Sequence, residues 1–305
     1  MTADWVIDTD ALTKRYGQEV LAVDSLTLRV RRGEVYGFVG PNGAGKTTTL
    51  RMLLGLVRPS SGAASVLGHH PGSPEALARV GAMIEAPDFY PFLSGRDNLR
   101  VMARHAGVPV ARIEDVLRQV GLSPRGDDHF STYSAGMKQR LGLAAGLLKD
   151  PEVLILDEPT NGLDPEGIAE MRVLMRSLGR EHRTVLLSSH LMAEVEQICD
   201  RIGVIRHGRF AAEGTLDELR GRPQLRVRVT PVDRGRELVA ALPGVESTRV
   251  ADGVLMLTAD PRRAGEINRQ LLDHGLVVSE LTPVQASLEE VFLGLVREEG
   301  ANSHG

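Results

Sequence analysis

The nine residues that follow a short apolar run constrain the fold more than any other segment of the chain. The run VYGFV is typical of a buried strand, and the segment GPNGAGKTT after it fits the pattern G-x-x-x-x-G-K-[S/T]. Glycines let backbone N–H groups wrap closely around phosphate oxygens, and the helix that follows offers its positive end. Lys46 is placed for the β- and γ-phosphates, and Thr47 has a hydroxyl for Mg²⁺. The predicted nucleotide-binding residues of this loop are Gly40, Pro41, Asn42, Gly43, Ala44, Gly45, Lys46, Thr47 and Thr48.

A second apolar run ends in two carboxylates. The segment VLILD at 153–157 predicts a strand buried on both faces, as in a parallel sheet, and Glu158 follows it directly. We expect Asp157 on the magnesium side of the site and Glu158 to polarise a water for in-line attack on the γ-phosphate. The alternative is a strand that ends in two surface acids. Two carboxylates after an all-apolar strand, downstream of a phosphate loop, argue against that alternative.

Composition excludes several classes of protein. The 305 residues carry a formal net charge of −4, so there is no global basic field for nucleic acid and no nucleic-acid partner is expected. A single cysteine, Cys199, cannot form an internal disulfide and fits a reducing compartment. The first residues lack the pattern of a secretory signal, and the run LGLAAGLL is far shorter than the roughly 20 apolar residues of a membrane span. We therefore expect a soluble chain, or one that reaches a membrane through a partner.

The order of periodic segments predicts an α/β core followed by a smaller domain. Residues 5–39 have a β-rich pattern, and helical patterns at 74–82, 95–121 (interrupted at Pro109), 135–149, 166–180 and 191–199 alternate with buried strands. The pattern changes near 220 to β-α-β-β-α-β and a last helix at 287–298. The predicted domains are therefore a nucleotide-binding domain at 1–220 and a small α+β accessory domain at 221–305.

Further motifs make a family resemblance visible. Between the two phosphate-site elements, Tyr133-Ser134-Ala135-Gly136-Met137 resembles the LSGGQ signature of ATP-binding cassette (ABC) ATPases. Asn161 to Asp164 is similar to the family's D-loop, and His190 to its switch histidine. Tyr16 stands where the family has an aromatic residue that stacks on adenine. The resemblance covers about residues 8–220 and implies a P-loop NTPase fold with an antiparallel β subdomain and a helical subdomain.

The resemblance also implies ligands and partners. ATP and Mg²⁺ are the expected cofactors, with Thr47 and Asp157 as metal ligands, and Glu158, Lys46 and His190 as catalytic residues. Ser134, Gly136 and Asp164 would contact nucleotide across a two-fold, ATP-dependent dimer of the chain. A separate transmembrane permease subunit would hold the protein on the inner, cytoplasmic face of the cell membrane.

Two departures from the family pattern refine the resemblance. Met137 replaces the usual glutamine of the signature, and Glu85 stands where the family's Q-loop has glutamine. Glu85 resembles the E-loop of bacitracin- and lantibiotic-type exporter ATPases, which implies a catalytic and metal-ligating role; a drifted surface residue is the alternative. The aromatic cluster Phe89, Tyr90 and Phe92 fits either a docking groove for the membrane subunit or the core of the helical subdomain.

The resemblance indicates an exporter ATPase, and two rivals stay open. The C-terminal segment LTPVQASLEEVFLGLV is similar to the accessory domain of daunorubicin- and bacitracin-type exporter ATPases, for drugs or peptide antibiotics. One rival is a soluble ABC ATPase acting in translation, repair or assembly. The other is a binding module that has lost catalysis, against which Lys46, Asp157, Glu158 and His190 argue. The transported substrate cannot be deduced from the sequence.

Overall fold

The chain forms two compact units. A computed structural model describes residues 5–85, 88–180, 183–251, 253–285 and 287–292. Contacts between Cα atoms divide the chain between Thr215 and Leu216, close to the expected boundary near 220. In the described residues, no helix is both long enough and apolar enough to cross a membrane.

The first unit contains an antiparallel sheet and a mainly parallel sheet. In the described part of this unit the strands are β1 (Trp5–Tyr16), β2 (Val20–Leu26), β3 (Arg29–Arg31), β4 (Val35–Val39), β5 (Ser61–Val66), β6 (Val80–Met83), β7 (Val153–Asp157), β8 (Thr184–Ser189), β9 (Arg201–Arg206) and β10 (Arg209–Thr215). Strand β1 pairs antiparallel with β2, β3 and β5, which confirms the β-rich start. The second sheet has the order β10-β9-β4-β8-β7-β6, with only β10 antiparallel to its neighbour.

The central strands are buried along their whole length. Every residue of β4, β7 and β8 is buried, as expected of parallel strands covered on both faces. A hydrophobic core joins the two sheets through Ile7, Leu26, Phe38 and Leu50, all at 1 % exposure or less. The ends of β4, β7 and β8 are therefore fixed by packing, and the functional segments leave the sheet there.

The helices of the first unit surround the parallel sheet and form a cluster beside it. They are α1 (Lys46–Leu53), α2 (Pro74–Arg79), α3 (Gly95–His105), α4 (Arg112–Gln119), α5 (Ala135–Leu147), α6 (Pro165–Arg180) and α7 (Met192–Val195). Helices α3, α4 and α5 contact one another and form the helical subdomain. Serine side chains cap two of these helices, since Ser94 Oγ accepts from Asp97 N at 3.0 Å and Ser134 Oγ from Met137 N at 3.3 Å.

Two predicted helices are wrong in part, and one predicted interruption is confirmed. The segment 80–82 is strand rather than helix, because tertiary pairing with β7 overrides its local pattern; a Cβ on Gly81 would lie 2.1 Å from the Gly146 carbonyl of α5. The stretch 95–121 breaks into α3 and α4 around Pro109, as predicted. The pattern at 191–199 yields only α7, because the chain must return to the sheet, where Asp200 N donates to Val35 O.

The second unit combines a four-stranded antiparallel sheet with helices. A short helix, α8 (Leu216–Arg220), opens it, and β11 (Gln224–Thr230), α9 (Val232–Ala240), β12 (Val245–Ala251), β13 (Val254–Ala259), α10 (Ala264–Asp273) and β14 (Val277–Val284) follow. The strand order is β12-β13-β11-β14, and the element order is the predicted β-α-β-β-α-β. Alternate residues of β11 (Leu225, Val227 and Val229) are buried in a core with the helices.

Two predictions in this unit extend beyond the described residues. Residues 288–292 are helical, and the rest of the predicted last helix lies outside the described residues. Asp252 of the predicted Asp252-Gly253 turn also lies outside them, while Gly253 has a φ of +73°. A positive φ there is typical of a tight turn between two strands.

Candidate active site

The glycine loop follows β4 and wraps the start of α1. Gly45 has a φ of +107°, and a Cβ there would lie 2.3 Å from Ala22 O. A Cβ on Gly40 would lie 2.2 Å from Ile205 O. Only glycine fits these two positions, because the backbone of neighbouring strands already occupies the space of a side chain. The loop therefore packs against β2 and β9 at these two glycines, and Pro41, Asn42 and Gly43 between them are exposed.

Lys46 is the buried cation of the loop. Its side chain is 5 % exposed, and its Nζ donates to Gly40 O at 2.7 Å and to Pro41 O at 3.3 Å. Glu158 Oε1 lies 3.2 Å from the same Nζ. Thr47 and Thr48 follow in the first turn of α1 and are half-buried. Three oxygen atoms therefore lie within 3.3 Å of Nζ, and a phosphate oxygen could bind the same ammonium group.

Glu158 contacts more of the predicted catalytic residues than any other side chain of the site. Besides Lys46, its Oε2 lies 2.8 Å from Nδ1 of His190 and accepts from His190 N at 3.3 Å. Glu158 itself has a φ of +48°, a region that residues other than glycine rarely adopt. The structure therefore brings Lys46, Glu158 and His190 into direct contact, although they lie far apart in the sequence.

Asp157 lies at the end of β7, one residue before Glu158. Its side chain is 5 % exposed, and Ser188 Oγ on the neighbouring strand β8 donates to its Oδ1. The same Oγ accepts from Glu158 N at 3.0 Å. The sequence reasoning did not single out Ser188; its position two residues before His190 at the end of a buried strand is the only signal that could have found it. Ser188 holds both acids in place at the edge of the sheet.

The signature residues form a second group. Ser134 and Gly136 open α5, and Leu163 Cδ2 is the nearest atom to a Cβ added at Gly136, at 3.9 Å. Asp164 Oδ1 accepts from Gly167 N at 2.8 Å and caps α6. Burial raises the pKa of Tyr133, whose Oη donates to Arg125 O at 2.7 Å. Among the described residues, no hydrogen bond or ion pair within one chain connects Ser134, Gly136 or Asp164 to the cluster of Lys46, Glu158 and His190.

Tyr16 and Glu85 lie at the periphery. Tyr16 ends β1, is 42 % exposed, and has Lys14 Nζ 5.0 Å from its ring centroid. The carboxylate of Glu85 is well exposed and pairs with Arg51 on α1, one helical turn beyond the phosphate loop. Glu85 has a φ of +65°. Its recorded partner is thus the helix that carries the loop, rather than Asp157 or Thr47.

The aromatic cluster divides between two environments. The Phe89 ring packs edge-on against Phe130 at 5.3 Å between centroids, in the helical subdomain. Tyr90 and Phe92 lie 5.8 Å apart and are 53 % and 66 % exposed. Phe89 therefore belongs to the core of the helical subdomain, while the docking role of the exposed Tyr90 and Phe92 stays a prediction.

Comparison with known proteins settles the family. The family model described as "ABC transporter" matches residues 23–161. The chain is 40 % identical to the bacitracin transport ATP-binding protein BcrA of Bacillus licheniformis, over 95 % of this chain and 97 % of that protein. The chain belongs to the ABC transporter ATP-binding proteins. It is also 39 % identical to the daunorubicin/doxorubicin resistance ATP-binding protein DrrA of Streptomyces peucetius, over 95 % of this chain and 92 % of that protein.

Solved structures agree with this assignment. An ATP-binding subunit of an ABC transporter is similar over 70 % of this chain and 92 % of its own, with 31 % identity and a TM-score of 0.63. A cassette solved as a dimer in a post-hydrolysis state, with ADP and phosphate bound, has the same fold at 21 % identity and a TM-score of 0.61, over 69 % of this chain and 99 % of its own. ABC ATPases bind and hydrolyse ATP, and the predicted fold class and ATPase activity are confirmed.

Proposed function

We propose that the chain is the ATP-hydrolysing motor of an exporter, with the reaction carried out at the cluster of Lys46, Glu158 and His190. The observation that carries the proposal is the Glu158 carboxylate, held by Lys46 on one oxygen and by His190 on the other. The phosphates of bound ATP would replace Glu158 as the partner of Lys46. The freed carboxylate, still oriented by His190, would accept a proton from the attacking water as the bond to the γ-phosphate breaks.

The residues present fit a magnesium ion. Asp157 provides a buried carboxylate oxygen, oriented by Ser188, and Thr47 provides a hydroxyl at the start of α1. Mg²⁺ commonly takes one or two protein oxygens together with phosphate oxygens and waters, so this small donor set is sufficient. The ion would neutralise phosphate charge. Glu85 would join this site only after leaving Arg51, and that exchange is part of the proposal.

The second half of each nucleotide site would come from another copy of the chain. Ser134 and Gly136 present a capped helix N-terminus in which a glycine lets a ligand approach the backbone, which suits a γ-phosphate. Within one chain these residues are not in contact with Lys46, and a two-fold dimer would supply them in trans. The dimeric state of the post-hydrolysis cassette supports this arrangement. Asp164 and the exposed edge of Tyr16 would complete each site.

A separate membrane subunit would dock beside the helical subdomain. Tyr90 and Phe92 are large apolar side chains exposed next to each other, a few residues after Glu85. A helix of the membrane subunit that covers these rings would also reach the segment holding Glu85, and so would couple transport to the nucleotide site. Such docking would place the chain on the cytoplasmic face of the membrane.

The proposed substrates are amphiphilic antibiotics, either peptides or aromatic drugs. Similarity to the bacitracin transport and daunorubicin/doxorubicin resistance proteins extends over nearly the whole chain, including the second unit. That full-length match favours an exporter over a non-transport ABC ATPase, because the match is not confined to the catalytic segments.

The first test is ATP hydrolysis by the purified chain and by Glu158→Gln, together with gel filtration with and without ATP. We expect the wild type to turn over and the variant to elute as an ATP-dependent dimer. Equal turnover by the two proteins would contradict the role of Glu158. Copurification with a coexpressed membrane protein, lost in a Tyr90→Ser, Phe92→Ser double variant, would test the docking surface.

A further inference from the structure

A buried polar pair next to the active site has no role in the proposal so far. Thr160 is 4 % exposed and Glu194 is 8 % exposed. Thr160 Oγ1 donates to Glu194 Oε2 at 2.5 Å. A carboxylate is rarely buried to this extent without a partner, because burial removes its hydration. The bond to Thr160 is charge-assisted and lies in a region of low dielectric, which makes it a strong constraint on both segments.

The pair lies on an extension of the sheet. Strands β7 and β8 run parallel, and Asp157 pairs with Ser188 at their ends. From this last backbone pair onwards, side chains of the two segments continue to contact each other. The successive contacts are Ser188 with Asp157, Glu158 with His190, and Thr160 with Glu194. The contact of Glu158 with His190 therefore lies between the other two, and the contact of Thr160 with Glu194 is the farthest from the sheet.

The backbone conformation of Glu158 is strained and must be held by contacts on both sides. A φ of +48° for a glutamate costs of order 1 kcal/mol and persists only where the surroundings impose it. On one side, Ser188 Oγ holds Glu158 N. On the other side, Asn161 N donates to Glu158 O at 3.0 Å in a tight turn that contains Thr160. Holding Thr160 therefore holds the far end of the turn that orients Glu158.

We infer that Glu194, acting through Thr160, is a positioning residue for Glu158. The buried carboxylate fixes the turn after β7 to the segment after His190, and so keeps the Glu158 carboxylate on His190. This inference rests on the proposed role of Glu158. It adds two residues to the set that determines the rate of hydrolysis.

The test is Thr160→Val in the full-length chain. Valine keeps the shape, removes the hydroxyl and leaves Glu194 buried without its partner. We expect kcat for ATP to fall about 10- to 100-fold with KM changed less than about threefold, since Lys46 and the glycine loop are untouched. Thr160→Ser, which keeps the hydroxyl, is expected to restore most of kcat. Wild-type kcat in Thr160→Val, or no recovery in Thr160→Ser, would overturn the inference.

Two controls separate positioning from loss of fold. Thr184→Val removes a buried hydroxyl, bonded to Gly33 N at 2.9 Å, from the opposite end of β8. It is expected to lower thermal stability without changing kcat. In a Glu158→Gln background, Thr160→Val is expected to add little further loss, and an additive loss would show that Thr160 acts by another route.

A final readout does not depend on turnover. The ¹⁵N signal of His190 Nδ1 in histidine-labelled protein, assigned by its loss in His190→Gln, reports the contact with Glu158. We expect it to shift in Thr160→Val and to stay in place in Thr184→Val. An unchanged signal in Thr160→Val would overturn the inference. Full hydrolysis by Glu158→Gln would instead overturn the proposed function on which it rests.

Discussion

Glu158 forms an ion pair with Lys46, the lysine that a nucleotide phosphate is proposed to contact. The Glu158 Oε1 to Lys46 Nζ distance is 3.2 Å, and the two side chains are 19 % and 5 % exposed. With an effective dielectric constant of about 20, the attraction between the charges is about 5 kcal/mol. Desolvation cancels most of such an attraction, and we take about 1 to 2 kcal/mol as the net value. Binding of a nucleotide must overcome this amount.

Glu158→Gln should therefore bind ADP more tightly than the wild type. Removing the competing carboxylate charge is expected to lower the Kd for ADP by about 5- to 30-fold. ADP avoids both hydrolysis and any dimer that requires the γ-phosphate, so isothermal titration calorimetry without Mg²⁺ measures the competition alone. Glu85→Gln is the matched control, because it removes the same charge from an acid paired with Arg51 instead. Its Kd for ADP should change by less than about twofold.

Two results would refute this reasoning. An unchanged or weaker affinity in Glu158→Gln would show that the Lys46–Glu158 contact does not compete with the nucleotide. An equal gain in Glu158→Gln and Glu85→Gln would show that only the overall field of the protein matters. Increasing salt should reduce the gain only slightly, since the pair is largely buried and poorly screened.

Two further predictions concern backbone fit and an ion-pair network. Gly45→Ala places a Cβ against Ala22 O at a φ of +107°. Backbone strain and atomic overlap together should cost several kcal/mol and weaken ADP binding at least about 30-fold. Gly43→Ala places a Cβ that meets no atom within 4 Å, and it should weaken ADP binding less. Hydrogen bonds from Arg79 and Arg32 lower the pKa of Glu152 to about 2. Because that pKa is depressed on folding, Glu152→Gln should reduce the free energy of unfolding at pH 7 by about 1 kcal/mol after screening, with the difference shrinking as the pH falls from about 4.5 towards 2.

Each of these has a clear contrary result. Wild-type ADP affinity in Gly45→Ala, measured by the same titration, would mean that the loop moves away from Ala22 at little cost. For Glu152, urea unfolding at several pH values is the measurement. A difference between wild type and Glu152→Gln that stays constant down to pH 2 would show that the stabilisation does not come from the ionised carboxylate.

The sequence predicts the central strands well because each carries its own signal. The buried runs of β4, β7 and β8 are continuous apolar segments that end in polar residues, and a parallel sheet is the simplest way to bury them. Strand β6 was missed because its four residues, Val80 to Met83, follow a helix without a break in pattern. Its extended conformation comes from pairing with β7 and from the close approach of α5 at Gly81, and neither contact has a local signature.

The candidate site shows the same division between local and long-range information. The glycine loop is predictable because phosphate binding by backbone needs glycines at fixed spacing. The contacts of Glu158 with Lys46 and His190 were expected only in outline, since they join three separate segments. Thr160 and Glu194 were not found at all. They lie 34 positions apart in the sequence, and each taken alone is an ordinary polar residue of a loop or a helix.

On the proposed function, the arrangement around Glu158 links nucleotide binding to the readiness for hydrolysis. One oxygen of the carboxylate is bound to Lys46 and the other to His190, so the two contacts have different fates when phosphate arrives. The phosphates compete for Lys46 but leave Nδ1 of His190 in place. The carboxylate therefore loses its charge partner and keeps its orientation in the same event. A base that is paired with Lys46 until phosphate displaces it would limit water activation to the ATP-bound protein.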